Sequence, residues 1–213
     1  MIYNEECAIK VAEFLLKKQA VKLRPSDPFK WASGWNSPIY CDNRKTLSYP
    51  ELRTYIRQNF VKAAEEHFAP FDAIAGVATG GIAHGVLVAQ EFGLPFLYVR
   101  SSAKGHGMQN LIEGEIPVGR NVLVVEDLVS TGGSSLQAVE ALREAGCEVK
   151  SMLSVFDYDF QVKSDNFKKA KCELISLTSY EFVLKAALEL DYIQEKDLDI
   201  LQEWRANPDT WMK

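Results

Sequence analysis

Apolar positions along the chain change their spacing twice. Over residues 5–20, Ala8, Val11, Ala12, Leu15 and Leu16 recur every three or four positions, the spacing of one helix face. Residues 21–47 lose that period. They hold three prolines and two tryptophans, and read as short strands and turns forming a hood rather than a layer of the main sheet. Helical spacing returns at Leu52, Ile56, Phe60 and Ala64. Ser48 is expected to cap that helix, with Pro50 in its first turn and Glu51 beside it.

From residue 73 onward short apolar runs alternate with helical stretches. The runs at 73–77, 96–99, 122–125, 149–156 and 174–177 have strand length. Helices are expected from the turn after Val77 to about Phe92, over 133–145 ending at Gly146, and near 179–190 and 194–206. Residues 100–117 read as a polar, glycine-bearing loop. Strands separated by helices specify an α/β fold with a parallel sheet and right-handed crossovers. The expected organisation is one domain over 1–213, with the hood inside residues 1–47.

Composition narrows the partners. The 213 residues suit one domain with a sizeable core. The 24 Lys and Arg residues are outnumbered by 29 Asp and Glu, for a net charge of −5. Nucleic-acid binding leans on a clustered basic surface, so it is not expected. No run of 18 apolar residues occurs, so no membrane span is expected. The N-terminal stretch carries Glu5, Glu6 and Glu13 and lacks a signal-peptide layout. Cys7, Cys41, Cys147 and Cys172 form no C-x-x-C pair and show no metal-ligand spacing with histidine. Free thiols in a reducing, cytoplasmic setting are expected.

The candidate chemistry centres on VVEDLVSTGGSS, residues 124–135. An apolar strand runs into Glu126 and Asp127, and small hydroxylated residues follow. In a parallel sheet, ligands bind beyond the carboxyl ends of the strands. Gly132 and Gly133 allow a tight turn and leave backbone N–H groups uncovered. The next helix begins there and presents its positive end. Ser130, Thr131 and Ser134 add hydroxyl donors, so the loop suits a phosphate monoester. The two carboxylates suit a neighbour that donates hydrogen bonds or carries positive charge, either sugar hydroxyls or a hydrated Mg2+. Phosphate beside a diol describes a ribose 5-phosphate. A Walker loop fails because no lysine follows the glycines.

Two further loops suit anions. GVATGGIAHG, residues 76–85, exposes amides at Thr79, Gly80 and Gly81. YVRSSAKGHGMQNLIEG, residues 98–114, spaces Arg100, Lys104 and His106 over seven residues, and a long loop of this kind reads as a lid.

VVEDLVSTGGSS closely resembles the ribosyl-donor signature of the type I phosphoribosyltransferases. The remainder is similar to the members of that family that take orotate, through SGWNSPIYCDNRKTLSYPE, GVATGGIAHG, YVRSSAKGHGMQN and LQEWRANP. The resemblance implies a type I phosphoribosyltransferase sheet flanked by helices, acting on orotate and phosphoribosyl pyrophosphate. It implies that Glu126, Asp127, Leu128, Val129, Ser130, Thr131, Gly132, Gly133 and Ser134 hold the ribose phosphate. It makes Thr79 and Gly80 the pyrophosphate turn, and Arg100, Lys104 and His106 pyrophosphate contacts, with Lys104 the principal cation. Lys104, Asp127 and Glu126 are the implied catalytic residues, and Ser130 the orotate contact. It also implies a homodimer sharing the 100–110 loop across subunits. Mg2+ is implied as cofactor, held mainly through substrate and water near Asp127. Relatives often carry lysine where Ala32 stands and a second basic residue where Ser101 stands. Some carry an arginine after the fourth strand, where this chain has Tyr158.

Overall fold

The computed structural model describes residues 1–31, 34–101 and 111–212. The first helix, α1 (Glu5–Lys17), starts at Asn4, whose side chain accepts the Cys7 N–H. Four short strands follow: β1 (Val21–Leu23), β2 (Phe29–Lys30), β3 (Asn36–Ser37) and β4 (Ile39–Cys41). They pair antiparallel as two ribbons, β1 with β4 and β2 with β3. A 3-10 turn, Asn43–Ser48, leads into α2 (Pro50–His67). Tyr49, not Ser48, precedes that helix, and no side chain caps it. Ser48 is instead the end of the 3-10 turn. Pro50 at the first position needs no donor satisfied, so the start does not depend on a cap.

The main sheet is built from β5 (Ala73–Val77), β6 (Phe96–Val99), β7 (Ile112–Glu113), β8 (Asn121–Val129), β9 (Glu148–Asp157) and β10 (Glu173–Ser179). Its order is β10-β9-β8-β5-β6-β7. All neighbours are parallel except β6 and β7, which pair antiparallel. The crossover helices are α3 (Gly80–Phe92), α4 (Gly133–Glu144) and α5 (Gln161–Lys169), and α6 (Tyr180–Glu189) and α7 (Leu198–Ala206) follow β10.

Side chains alternate across the sheet as the pleat requires. On β8, Leu123 and Val125 join a core beneath α1, α2, α3 and α6, whereas Val122 and Val124 join one beneath α4. Each fully buried aliphatic side chain contributes about 1.5–3 kcal/mol. α3 lies unusually close to the sheet. A Cβ on Gly76 would stand 2.9 Å from the Gly81 carbonyl oxygen, and one on Gly85 would stand 2.7 Å from the Phe96 ring.

Three elements depart from the sequence expectation. β8 runs past the acidic pair to Val129, because Leu128 and Val129 still pair with Phe156 and Asp157. β7 forms within the stretch expected to be loop. α5 is present where no helix was expected. It is mostly polar and buries only Lys163 and Phe167, so its apolar period is faint.

Candidate active site

Glu126 and Asp127 sit near the carboxyl end of β8. Glu126 is 5% exposed. One of its oxygens accepts the Asp127 N–H at 2.9 Å, and the other accepts the Ser135 hydroxyl at 3.0 Å. Burial raises its pKa well above the ordinary value, and the adjacent Asp127 charge raises it further. Burial raises Asp127 as well. Among the described residues no lysine or arginine forms an ion pair with either one. Ser135 lies inside the sequence motif, but a buried hydroxyl bracing a carboxylate was not anticipated.

The Asp127 carboxyl reaches across to the start of α3. A Cβ on Gly80 would fall inside that carboxyl group, and one on Gly81 would collide with the Val125 carbonyl oxygen. These glycines therefore let the start of α3 come down onto β8. Thr79 is exposed there and makes no side-chain cap, and the first turn of α3 carries no acidic residue. The pyrophosphate turn and the acidic pair, 47 positions apart in sequence (127 minus 80), are thus in contact.

The second turn joins β8 to α4. Gly132 takes φ +83°, and a Cβ there would strike Phe167 of α5. Asn166 of α5 donates to the Thr131 carbonyl at 3.0 Å. Gly133 and Ser134 are exposed at the start of α4, whose first turn also lacks an acidic residue. Ser130 and Thr131 are half-buried. A helix N-terminus with uncovered N–H groups and nearby hydroxyls suits a phosphate. Val129 is fully buried, and its carbonyl accepts the Tyr158 N–H at 3.0 Å. Like Glu126, it is a buried residue of β8.

A cavity of about 300 Å³ adjoins this turn. Trp31, Tyr40 and Tyr158 line it, with Leu128, Cys41, Ser130 and Lys30. The Trp31 ring is fixed by donating to the Ile39 carbonyl at 3.1 Å and by edge contact with Tyr158, centroids 5.2 Å apart. Aromatic walls at this spacing suit a flat heterocycle. Leu128 and Ser130 therefore serve both the donor turn and the aromatic cavity. The 3-10 turn ties this region to the acids. Asn43, fully buried, donates from its amide to the Asp127 carbonyl oxygen at 2.6 Å and accepts the Cys41 thiol at 3.3 Å. Nothing in local spacing marks Asn43, because its partner is 84 residues away.

Arg100 is half-buried and pairs with Glu113 of β7 at 3.3 Å. Lys104 and His106 lie outside the described residues, as does Ala32. The structure thus brings together the acidic pair, both glycine turns and the aromatic cavity, and places Arg100 just past the end of β6, whose Val99 carbonyl accepts the Ala78 N–H beside the pyrophosphate turn.

A mostly parallel sheet with two anion-suited turns flanking an acidic pair near one strand's end defines a phosphoribosyl-transfer fold. The family model described as "Phosphoribosyl transferase domain" matches residues 48–189. The chain is 56% identical over 200 residues to the orotate phosphoribosyltransferase of Phocaeicola vulgatus, covering 94% of each. It is 52% identical to that of Cytophaga hutchinsonii over the whole of both chains. The solved orotate phosphoribosyltransferase of Aeropyrum pernix superposes with a TM-score of 0.75 at 29% identity, over 86% of this chain and 99% of that one. Leishmania donovani UMP synthase superposes with a TM-score of 0.77 at 28% identity, and this chain covers 42% of its length. The chain belongs to the orotate phosphoribosyltransferase family.

Proposed function

We propose that this chain transfers the ribose 5-phosphate of phosphoribosyl pyrophosphate to orotate, giving orotidine 5′-monophosphate and pyrophosphate in pyrimidine nucleotide synthesis. The observation that carries the reading is the Asp127 carboxyl lodged between the two glycine turns and beside the aromatic cavity. The 5′-phosphate sits on Ser130–Ser134 at the start of α4. The ribose hydroxyls donate to the acidic pair. The pyrophosphate lies on the Thr79–Gly80 turn, and orotate fills the cavity against Ser130.

The ring nitrogen of orotate attacks C1′ as the bond to pyrophosphate breaks, with inversion at that carbon. The nucleophile is the substrate's own ring nitrogen, which gives up its proton to water or to the departing pyrophosphate as the bond to C1′ forms, so no enzyme nucleophile is required. Positive charge grows on the ribose ring and negative charge on the leaving group. Asp127 faces the first, and the amides of the α3 turn face the second. Arg100 is within the same region, and Lys104 and His106, outside the described residues, supply the remaining cations by family resemblance. Holding both reactants in line removes much of the entropic barrier.

Among the described residues no group of three or more His, Cys, Asp or Glu side chains could cage a metal. A single carboxylate, Asp127, beside a pyrophosphate turn fits Mg2+, which takes one or two carboxylates and completes its shell with phosphate oxygens and water. When bound it neutralises the leaving group. A homodimer sharing the 100–110 loop, in the cytoplasm, completes the proposal. The four free cysteines fit a reducing compartment. No helix among the described residues is long and apolar enough to cross a membrane.

The test is an ultraviolet assay of orotate consumption with donor and Mg2+, with hypoxanthine, adenine and uracil in parallel. Orotate loss that requires both donor and metal is expected. Turnover of another base instead would keep the donor site and discard the orotate assignment.

A further inference from the structure

We infer that Lys30 recognises the carboxylate of the base, and so sets the preference for a carboxylated pyrimidine over a neutral one. The inference rests on the orotate reading above and assigns a residue that the sequence motifs leave unmarked. Among the described residues Lys30 is the only lysine or arginine lining the aromatic cavity. Among the described residues no carboxylate pairs with it, although other lysines, such as Lys17 and Lys150, have such partners. Lys30 is exposed, so its stem is free to turn toward the cavity.

The surroundings make a cation necessary. The cavity opens beside Asp127, whose charge is felt at two of its walls. Burial first, and Asp127 second, raise the Cys41 thiol. Burial foremost, then Cys41 and then Asp127, raise the Tyr158 phenol. An anionic ring entering here meets that negative field at close range and needs a local countercharge. The remaining lining groups are rings, an aliphatic chain, a thiol and a hydroxyl. None can supply one.

The backbone that carries Lys30 is fixed. Lys30 pairs with Asn36 across the β2–β3 ribbon. The Asn36 carbonyl accepts the Trp204 indole N–H at 3.1 Å, and the Asn36 amide donates to Met212 at 2.9 Å, anchoring the ribbon to the C-terminal segment. A flexible four-carbon stem on a fixed base can place its ammonium on a carboxylate without rebuilding the hood.

The experiment compares steady-state kinetics of the full-length wild type, Lys30→Gln and Lys30→Arg, varying orotate and donor separately. For Lys30→Gln the KM for orotate should rise about tenfold, as expected for loss of one charge-assisted hydrogen bond. The loss should fall on that constant rather than on the KM for the donor. Lys30→Arg should recover most of it. Inhibition by the neutral amide of orotate should be the same in all three proteins, which a disturbed hood would not permit. An unchanged orotate KM in Lys30→Gln overturns the inference alone, provided the wild type turns orotate over. A rise in donor KM instead also overturns it, because the cation then serves a phosphate. A wild type inactive on orotate removes the functional reading and this inference with it.

Discussion

The ends of β8 and β9 lie side by side, and their carboxylates have opposite fates. On β9, Asp157 is 2% exposed and meets Lys163 of α5 at 2.6 Å. On β8, Glu126 and Asp127 meet a hydroxyl and a backbone N–H but no described cation. The two ends are in register, Val129 opposite Asp157. Burial pushes all three acids upward, and Lys163 pulls Asp157 back. A buried charge must be neutralised by something. Where the partner is built into the chain, the acid holds structure. Where it is left out, the acid is poised for a ligand. The structural pair also serves the other site, because α5 carries Lys163, Asn166 and Phe167. These hold, in turn, Asp157, the Thr131 carbonyl and the Gly132 turn.

The sharpest way to break this contrast is to exchange the expected effects. Asp157→Ala strands Lys163 without a partner and should cost about 3–5 kcal/mol of stability. Urea unfolding measures it, and a loss below about 1 kcal/mol would remove the structural role. Asp127→Asn should do the reverse. Its unfolding midpoint should hold or rise, while kcat/KM for the donor with Mg2+ should fall roughly 10²–10³-fold. Normal kinetics would dissolve the diol assignment. A smaller effect tests the leaving-group role that the family resemblance gives Lys104. Lys104→Ala should lower turnover at least tenfold with unchanged stability, and full activity would withdraw that residue from the leaving-group cations.

How much of this was legible in the sequence depends on the range of the interaction. The parallel sheet followed from five apolar runs spaced by helices, and the acidic pair and glycine turns followed from contiguous residues whose chemistry needs no partner. What stayed hidden was long-range or weakly patterned. Asn43 acts on Asp127 from 84 positions away. The role of Gly80 in admitting the Asp127 carboxyl appears only when α3 is docked on β8. α5 is held by a buried ion pair and one phenylalanine rather than by an apolar stripe, so periodicity could not announce it. The end of β8 was placed too early because a charge pair normally closes a buried strand. Here the ladder to β9 continues beneath it.

The smallest expected effect probes the unneutralised pair directly. Glu126 has an ordinary pKa of 4.5, and burial holds it well above that value in the fold. In the unfolded chain it loses its proton near 4.5, while in the fold it keeps it to higher pH. Its contribution to stability is therefore fully present below pH 4.5 and is lost as pH rises through the folded value. Glu126→Gln does not titrate. Its carbonyl can still accept the Asp127 N–H, and its amide can donate to the Ser135 hydroxyl, so the local bonds survive. The variant should match the wild type in acid and exceed it in Tm increasingly as pH rises above 4.5. Activity should fall at the same time, since the unfavourable charge is the one the ribose hydroxyls require. A Tm difference that does not change with pH would mean that Glu126 is neutralised by a group other than its ligand.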